Sequence, residues 1–216
     1  MQHRARGGNG PSPTLTFFRQ WLKNPLSVAA LSPSGKQLAR LMVRELPERP
    51  RRVVELGGGT GVFTQAMLDN GIAPAHLLVV ELNEELHKFL QNRFPDVNVV
   101  CGDARELPAM VESAGFDRDS GVDAVVSGLG LLSMPRTLQR DILRAAFAVL
   151  APEGRMVQFT YGPVSPVPRE TLDELGLTVR RGGFAWWNMP PASVFIYQRA
   201  RSRPITPVRA GDRNGA

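Results

Sequence analysis

Residues 53–61, with the sequence VVELGGGTG, decide the fold of this chain. An apolar run typical of a buried strand ends in glycines spaced G-x-G-x-G, at Gly57, Gly59 and Gly61, and a helical pattern follows over residues 61–70. Glycines between a strand and a helix let the backbone turn tightly and approach a ligand that side chains would exclude. The helix N-terminus behind them favours an anionic or polar group. The stretch therefore predicts a strand–loop–helix unit that binds a ligand.

A carboxylate follows at the position where a nucleoside needs one. Glu81 lies 20 residues beyond Gly61, near the end of a second apolar run at residues 76–82 (HLLVVEL). An acid at the end of the second strand accepts hydrogen bonds from both ribose hydroxyls. Together with the glycines, Glu81 predicts a cofactor of the nucleoside type.

Strand-like and helix-like patterns alternate along the rest of the chain. Strands are predicted at residues 51–56, 76–82, 97–101, 122–128 and 155–161, with a Pro-Glu-Gly turn before the last of these. Asn83 is a predicted helix cap, and Pro135 opens a helix that runs to Leu150. Residues 177–181 and 183–199 form two strands around an Asn-Met-Pro-Pro turn, with no helix between them. The pattern predicts an α/β fold, with a parallel sheet between helices and a closing antiparallel β-hairpin.

Length and composition indicate one ordinary globular domain, since the chain has 216 residues of which 43% are hydrophobic. Apolar runs long enough to span a bilayer are absent from the sequence, and the first residues lack the apolar region of a secretory signal. The single cysteine, Cys101, cannot form an internal disulfide, so we expect a cytoplasmic protein. Four regions are predicted: a disordered N-terminus (1–13), N-terminal amphipathic or lid helices (14–47), the main domain (48–200) and a disordered basic tail (201–216).

The net charge of +6 resides at the two ends of the chain. Residues 1–23 contain four basic side chains and no acid, and residues 199–216 contain five arginines against one aspartate, so the body between them is slightly acidic. Clustered basic ends indicate an anionic partner, either lipid headgroups or nucleic acid. The alternative is that both ends are merely solvated tails.

The cofactor motifs resemble those of the class I S-adenosylmethionine-dependent methyltransferases. The family pattern E-x-G-x-G-x-G matches Glu55 and the three glycines, and its ribose acid matches Glu81. Its adenine-contacting aspartate and small residue match Asp103 and Ala104. The resemblance implies a Rossmann-like, seven-stranded, mostly parallel sheet and S-adenosylmethionine as cofactor. The implied cofactor-binding residues are Glu55, Gly57, Gly59, Gly61, Glu81, Leu82, Asp103, Ala104 and Ser127.

The loop after the fourth strand, residues 127–130 (SGLG), indicates the class of substrate. Members that methylate amines or adenines have N-[LI]-P-[YF] there, and this chain has neither the Asn nor the aromatic residue. A base-modifying enzyme needs an aromatic platform for the flipped base, so the loop argues against nucleic acid as substrate. The alternatives are an rRNA adenine N6-dimethyltransferase and a non-catalytic binding module that retains the fold.

Four blocks are similar to the bacterial phospholipid N-methyltransferases of the soluble rhizobial type: residues 17–42, 127–135, 160–169 and 186–197. The resemblance implies stepwise methylation of phosphatidylethanolamine to phosphatidylcholine by a peripheral membrane enzyme. One departure is Gly130, where the family has proline, and it leaves the rigidity of this loop open.

The stretch before the first strand predicts a membrane contact. On a helix that ends at Pro25, Phe17, Phe18 and Trp21 share one face, with Lys23 at its edge. A short helix with bulky aromatic and basic residues suits the headgroup–acyl boundary of an anionic membrane. The alternative is a helix packed across the cofactor pocket. The expected location is the inner face of the bacterial cytoplasmic membrane.

Few residues remain for the chemistry itself. Tyr161, at the end of the fifth strand, is the candidate catalytic residue, which orients the attacking amine by its hydroxyl or its ring face. A second helix is predicted from Pro33, with Ser32 as its cap. Ser34 and Lys36 at its start are candidate contacts for the methionine carboxylate of the cofactor or for a lipid phosphate, and Arg169 is a further candidate for the phosphate. We predict no metal, no nucleic-acid partner and a monomer.

Overall fold

The computed structural model describes residues 33–116, 121–186 and 191–200. These ranges contain a seven-stranded sheet in the order β3-β2-β1-β4-β5-β7-β6. The strands are β1 (Val53–Leu56), β2 (Leu77–Glu81), β3 (Asn98–Cys101), β4 (Val122–Ser127), β5 (Leu150–Tyr161), β6 (Leu177–Ala185) and β7 (Ala192–Arg199). The first five strands pair in parallel, and β7 lies antiparallel between β5 and β6. The predicted α/β architecture with its closing antiparallel hairpin is confirmed.

Helices cover both faces of the sheet. They are α1 (Pro33–Arg44), α2 (Val62–Asp69), α3 (Glu84–Arg93), α4 (Leu107–Ser113), α5 (Arg136–Val149) and α6 (Arg169–Glu174). Side chains of α1, α2 and α3 form one apolar core with one face of the sheet, and those of α4, α5 and α6 form a second core with the other face. Within the described ranges, the helices are too short or too polar to cross a membrane.

Local sequence signals account for where several helices begin and end. The Asn83 side chain accepts hydrogen bonds from the backbone N–H groups of Glu85 and Leu86, at 3.0 Å each, and so caps α3 as predicted. Gly71 has φ +89°, the left-handed conformation that ends α2. Pro33 is the first residue of α1, as predicted, whereas its predicted cap Ser32 lies outside the described residues.

Two strands are longer than their patterns predict. β5 begins at Leu150 and not at residue 155, because Leu150 already pairs with Val122 before the register shifts to pair Arg155 with Ala124. β6 continues past Arg181 to Ala185, which pairs with Ala192 of β7. In both cases an irregularity in the ladder accommodates the extra residues, and before β5 these include the Pro-Glu-Gly stretch that the sequence predicts as a turn.

Pairing registers bring the strand ends together at one edge of the sheet, which we call the carboxyl edge. Leu56 of β1 lies level with Val80 of β2 and with Ser127 of β4. Since β1 lies between β2 and β4, with connections that leave in opposite directions, the gap above it is a topological switch point. Ligands of open α/β sheets bind at such a point.

Candidate active site

The glycine loop leaves β1 at the carboxyl edge in a conformation that favours glycine. Gly57, Gly59 and Gly61 have φ values of +75°, +55° and +77°. The N–H of Gly57 donates to the carbonyl of Val80 at 2.8 Å, which fixes the start of the loop against β2. A Cβ on Gly61 would come within 2.4 Å of the Phe94 ring, whereas a Cβ on Gly59 would approach nothing closer than 4.0 Å. Gly61 thus allows close packing, and Gly59 borders open space for a ligand.

Glu81 holds the glycine loop as well as facing the carboxyl edge. One carboxylate oxygen accepts from the N–H of Gly59 at 2.8 Å, and the other accepts from the N–H of Asn83 at 2.9 Å. The side chain is buried. Each carboxylate oxygen keeps a further lone pair, so this fixed carboxylate suits two hydroxyl donors of a ribose. The structure adds a second role, bracing the loop, that the sequence pattern does not predict.

Glu55 is fully buried beneath the loop. The Thr64 hydroxyl donates to its Oε2 at 2.6 Å, while its Oε1 has no hydrogen-bond partner among the described residues. Burial raises the pKa of this carboxyl group to about 8, and the nearby charge of Glu81 adds to the effect. A buried carboxyl oxygen without a partner is available to a polar group of a ligand, and a cationic group placed there would favour the ionised form of Glu55.

The other predicted cofactor contacts also follow strand ends at this edge. Asp103 and Ala104 come after β3, and Asp103 caps a short 3₁₀ turn at Ala104–Glu106. The Asp103 carboxylate is engaged by the Arg105 guanidinium, at 2.7 Å from Nη2, which holds the pKa of Asp103 below its usual range. Leu82 is largely exposed, and the buried Ser127 accepts from the N–H of Leu129 at 3.3 Å. Direct contact of these four residues with a cofactor stays a prediction.

Three polar side chains hold the loop after β4, residues 128–134. The Gln158 amide of β5 donates to the carbonyl of Leu129 at 2.8 Å, and the Gln139 amide of α5 donates to that of Leu131 at 2.7 Å. The Ser133 hydroxyl donates to the carbonyl of Gly130 at 2.8 Å. Gly130 itself has φ −77°, a value that proline also adopts. The loop therefore has the constrained geometry expected of a proline, and its rigidity is supplied by hydrogen bonds.

Tyr161, the last residue of β5, stands in a row of aromatic rings. Its ring meets that of Phe159 edge to face at 5.5 Å between centroids, and Phe159 meets Phe63 of α2 at 5.7 Å. Burial raises the pKa of the Tyr161 hydroxyl above its usual value, so the group stays protonated near neutral pH. Tyr161 can donate a hydrogen bond or present its ring to a cation, but it is not a base.

The candidate phosphate contacts differ in their surroundings. Lys36 is exposed in the first turn of α1, and that turn lies next to α2, since a Cβ on Gly35 would come 3.9 Å from Val62. Arg169 is almost fully exposed, with its guanidinium 3.9 Å from the carboxylate of Asp173. The side chain of Ser34 is outside the described part of the chain, as are Phe17, Phe18, Trp21 and Lys23.

With this geometry established, comparisons with known proteins identify the family. Residues 53–154 match the family model described as "Methyltransferase domain". The ornithine lipid N-methyltransferase of Singulisphaera acidiphila is 35% identical over 186 residues, which cover 83% of this chain and 93% of that protein. The chain belongs to the S-adenosylmethionine-dependent methyltransferases.

A second relative matches less than half of this methyltransferase. The ribosomal RNA small subunit methyltransferase A of Synechococcus sp. strain JA-3-3Ab is 35% identical over 102 residues, which cover 45% of this chain and 33% of that enzyme. Among solved structures, the magnesium protoporphyrin IX methyltransferase of Synechocystis PCC 6803 with bound S-adenosylmethionine has a TM-score of 0.59. It is 12% identical and covers 89% of this chain and 100% of its own, so it establishes the fold alone.

S-adenosylmethionine is the cofactor of this methyltransferase. The residues present fit the molecule. The unpaired Oε1 of Glu55 matches the cationic amine of its methionine part, the fixed Glu81 carboxylate matches its ribose hydroxyls, and the open side of Gly59 leaves it room.

The buried polar residues of β5 lie close to the site but are not among the residues predicted from the sequence. Gln158 and Thr160 are almost completely buried, and each has a side-chain oxygen without a partner among the described residues. The signal was available, because polar residues at alternate positions of an apolar strand (MVQFTY, 156–161) place two polar side chains on one face of a buried sheet. The pattern alone does not reveal which loop Gln158 binds.

Proposed function

We propose that this methyltransferase transfers methyl groups to the primary amine in the headgroup of a membrane lipid. The likeness to a lipid N-methyltransferase carries the proposal, because it extends over 83% of the chain and therefore reaches beyond the cofactor half into the segments after β4 and β5. The ribosomal RNA relative, by contrast, matches only 45% of the chain. The loop after β4 also lacks the aromatic residue on which a base would stack.

Two headgroups are candidates. The four sequence blocks that resemble phospholipid N-methyltransferases favour phosphatidylethanolamine, which would be converted stepwise to phosphatidylcholine. The Singulisphaera acidiphila relative favours an ornithine lipid as the second candidate. Both lipids present a primary amine, but only phosphatidylethanolamine carries a phosphate beside it. The cations of Lys36 and Arg169 suit such a phosphate.

Bound S-adenosylmethionine supplies an electrophilic methyl group on a sulfonium. The protein must then align a neutral amine in line with it and exclude water. We assign the alignment to Tyr161, whose protonated hydroxyl and ring lie at the end of β5, the strand whose Gln158 braces the loop 128–134. The surroundings of Tyr161, with Phe159 and Phe63, are apolar and favour the neutral form of an amine over the ammonium.

Membrane contact through the N-terminal segment forms part of the proposal. Phe17, Phe18, Trp21 and Lys23 lie outside the described residues, but the chain enters α1 at the carboxyl edge, next to the start of α2. A peripheral helix attached at this point would bring the site to the inner face of the cytoplasmic membrane. We propose that the enzyme acts there as a monomer.

The double variant Phe18→Glu/Trp21→Glu tests this contact. Two carboxylates on the apolar face should abolish sedimentation with anionic vesicles while the affinity for S-adenosylmethionine stays within about twofold. Gln20→Glu/Asn24→Glu, which adds the same charge to polar positions of the segment, is the matched control. Equal sedimentation of the two double variants would contradict a membrane role for the aromatic residues.

The substrate class is tested by offering the purified enzyme labelled S-adenosylmethionine with lipid and RNA together. Phosphatidylethanolamine vesicles, ornithine lipid vesicles and ribosomal RNA are mixed in one reaction, then separated by solvent extraction and chromatography. We expect label in the lipid phase, and its chromatographic position tells the two lipids apart. Label in RNA alone would overturn the proposal.

A further inference from the structure

Large apolar side chains are exposed at one edge of the described structure. Those with the greatest exposure are Leu82 (67%), Leu132 (49%), Val164 (72%) and Trp186 (74%). Each follows the end of a strand, namely β2, β4, β5 or β6. The registers place Tyr161 of β5 level with Ala192 of β7, and Ala192 level with Ala185 of β6, so the end of β6 lies at the carboxyl edge too. We call Leu132, Val164 and Trp186, on the substrate side of this edge, the apolar rim.

Charge divides the same edge into two halves. The segments next to the apolar rim, residues 33–36, 128–136, 161–169 and 184–186, contain Lys36, Arg136 and Arg169 and no acid. The segments after β2 and β3, residues 82–85 and 102–106, contain four acids and one arginine. The substrate half of the opening is therefore apolar and mainly cationic, although Glu170 follows Arg169 and Asp173 lies 3.9 Å from its guanidinium, and the cofactor half is acidic.

Hydrogen bonds and ring contacts hold the apolar rim in place. Trp186 packs edge to face against Phe184, with 4.4 Å between ring centroids. Hydrogen bonds hold the two residues before Val164. The Ser193 hydroxyl donates to the carbonyl of Gly162 at 2.6 Å, and Arg181 donates to the carbonyl of Pro163. Leu132 lies in the turn that Gln139 braces. Several large apolar groups exposed along one edge of a sheet fit an interaction surface better than singly scattered ones do.

We infer that the apolar rim, with Lys36, Arg136 and Arg169, is a docking face for a lipid bilayer that carries anionic headgroups. A bilayer offers an apolar interior to the three rim side chains and phosphates to the three cations. A folded protein on this face would cover the opening at which the methyl group is delivered. The inference rests on the proposed function, since a lipid amine enters the site from the surface on which the face docks.

Docking through this face gives the catalytic domain a membrane contact of its own, separate from residues 17–23. The acidic half, with Glu84, Glu85 and Glu106, would be repelled by the same surface and tilt away from it. The enzyme would then rest on the membrane by the ends of β4, β5 and β6, with the opening against the headgroups.

The full-length triple variant Leu132→Ser/Val164→Ser/Trp186→Ser tests the docking face, and Val179→Ser is its control. Val179 is an exposed apolar residue of β6 away from the carboxyl edge. Partition onto phosphatidylglycerol vesicles is measured by sedimentation. We expect at least a tenfold loss for the triple variant, unchanged affinity for S-adenosylmethionine, and no loss for the control. Partition of the triple variant within twofold of the wild type overturns the inference.

A charge-reversal pair tests the cationic part. The test variant is Lys36→Glu/Arg136→Glu, and Arg44→Glu is the control. Lys36 and Arg44 lie at opposite ends of α1, and only Lys36 is at the carboxyl edge. We expect Lys36→Glu/Arg136→Glu to lower partition onto phosphatidylglycerol vesicles about tenfold at low salt, and Arg44→Glu to lower it less than twofold. Equal losses from the two reversals would overturn the assignment of these cations.

The outcomes separate this inference from the proposed function. If the wild type methylates lipid dispersed in detergent micelles and the triple variant binds vesicles normally, the docking face is wrong and the function stands. If the wild type labels no lipid in micelles or vesicles while the triple variant loses vesicle binding, the face stands and the proposed function is wrong.

Discussion

Glu55 is the residue whose chemistry departs furthest from its ordinary state. Its pKa is about 8 in the folded protein, against an ordinary value of 4.5, because burial disfavours the charged form. Between these two values the folded state keeps a proton that the unfolded chain has lost. Stability of the cofactor-free protein therefore falls as pH rises through this window, by about 1.4 kcal/mol per pH unit, and levels off above it.

Glu55→Gln should remove this dependence. The variant keeps a neutral side chain at every pH, so above pH 8 it should be more stable than the wild type in the absence of cofactor. Urea unfolding at pH values from 5 to 9 measures the difference, with the exposed Glu112→Gln as control. Parallel stability curves for wild type and Glu55→Gln would contradict the buried, protonated carboxyl group.

The role of Tyr161 is tested by measuring cofactor binding and turnover separately. Tyr161→Leu removes both ring and hydroxyl from the position that should align the amine, so kcat should fall at least about tenfold. Affinity for S-adenosylmethionine should change less than twofold, because we assign the cofactor contact to Glu55 and Glu81 and not to Tyr161. Tyr161→Phe shows which part of the side chain acts, since it keeps the ring. An unchanged kcat for Tyr161→Leu would remove Tyr161 from the mechanism.

At the scale of elements, the loop after β4 depends on side chains that reach it from elsewhere. Gln158 binds the carbonyl of Leu129 from 29 positions along the chain, and Gln139 binds that of Leu131 from eight. The resemblance to phospholipid N-methyltransferases predicts a proline at Gly130, and in its place these bonds hold the loop. Gly57 packs against the same loop, since a Cβ at this position would lie 2.8 Å from the Leu129 side chain.

Gln158→Leu should loosen this loop without unfolding the protein. Losing the bond leaves a buried carbonyl unpaired and should lower the free energy of unfolding by about 1–3 kcal/mol. The KM for lipid should rise or kcat fall, while the Kd for S-adenosylmethionine stays nearly constant. Gln198→Leu, on β7 at the far end of the sheet, is the matched control. A parallel loss of cofactor affinity and turnover would mean that Gln158 serves only the general core.

Elements defined by neighbouring residues were predictable from sequence. Asn83 caps the helix it precedes, Pro33 begins α1, and the glycines follow β1. Contacts between residues far apart in the chain could not be predicted, because no local sequence pattern encodes them. The brace from Glu81 to Gly59, the brace from Gln158 to Leu129, and the early pairing of Leu150 with Val122 all depend on how the sheet assembles.

At the scale of the whole molecule, the sheet brings the cofactor and substrate segments to one edge. The order β3-β2-β1-β4-β5-β7-β6 places the acid of β2 on one side of the glycine loop and Tyr161 of β5 on the other. The sequence predicts both halves separately, from the glycine spacing and the family blocks. Their arrangement as an acidic half and an apolar, cationic half follows only from the topology, since the contributing segments are scattered from residue 33 to residue 186.

The central claim is methyl transfer to a lipid amine, and the most direct measurement is mass spectrometry of the lipids after the reaction. Purified enzyme is incubated with S-adenosylmethionine and vesicles of phosphatidylethanolamine or ornithine lipid, and Glu81→Ala serves as the cofactor-site control. We expect the wild type to add methyl groups to the headgroup nitrogen of the lipid, and the control to add few or none. Unmodified headgroups in both lipids, from an enzyme that binds S-adenosylmethionine, would contradict this claim.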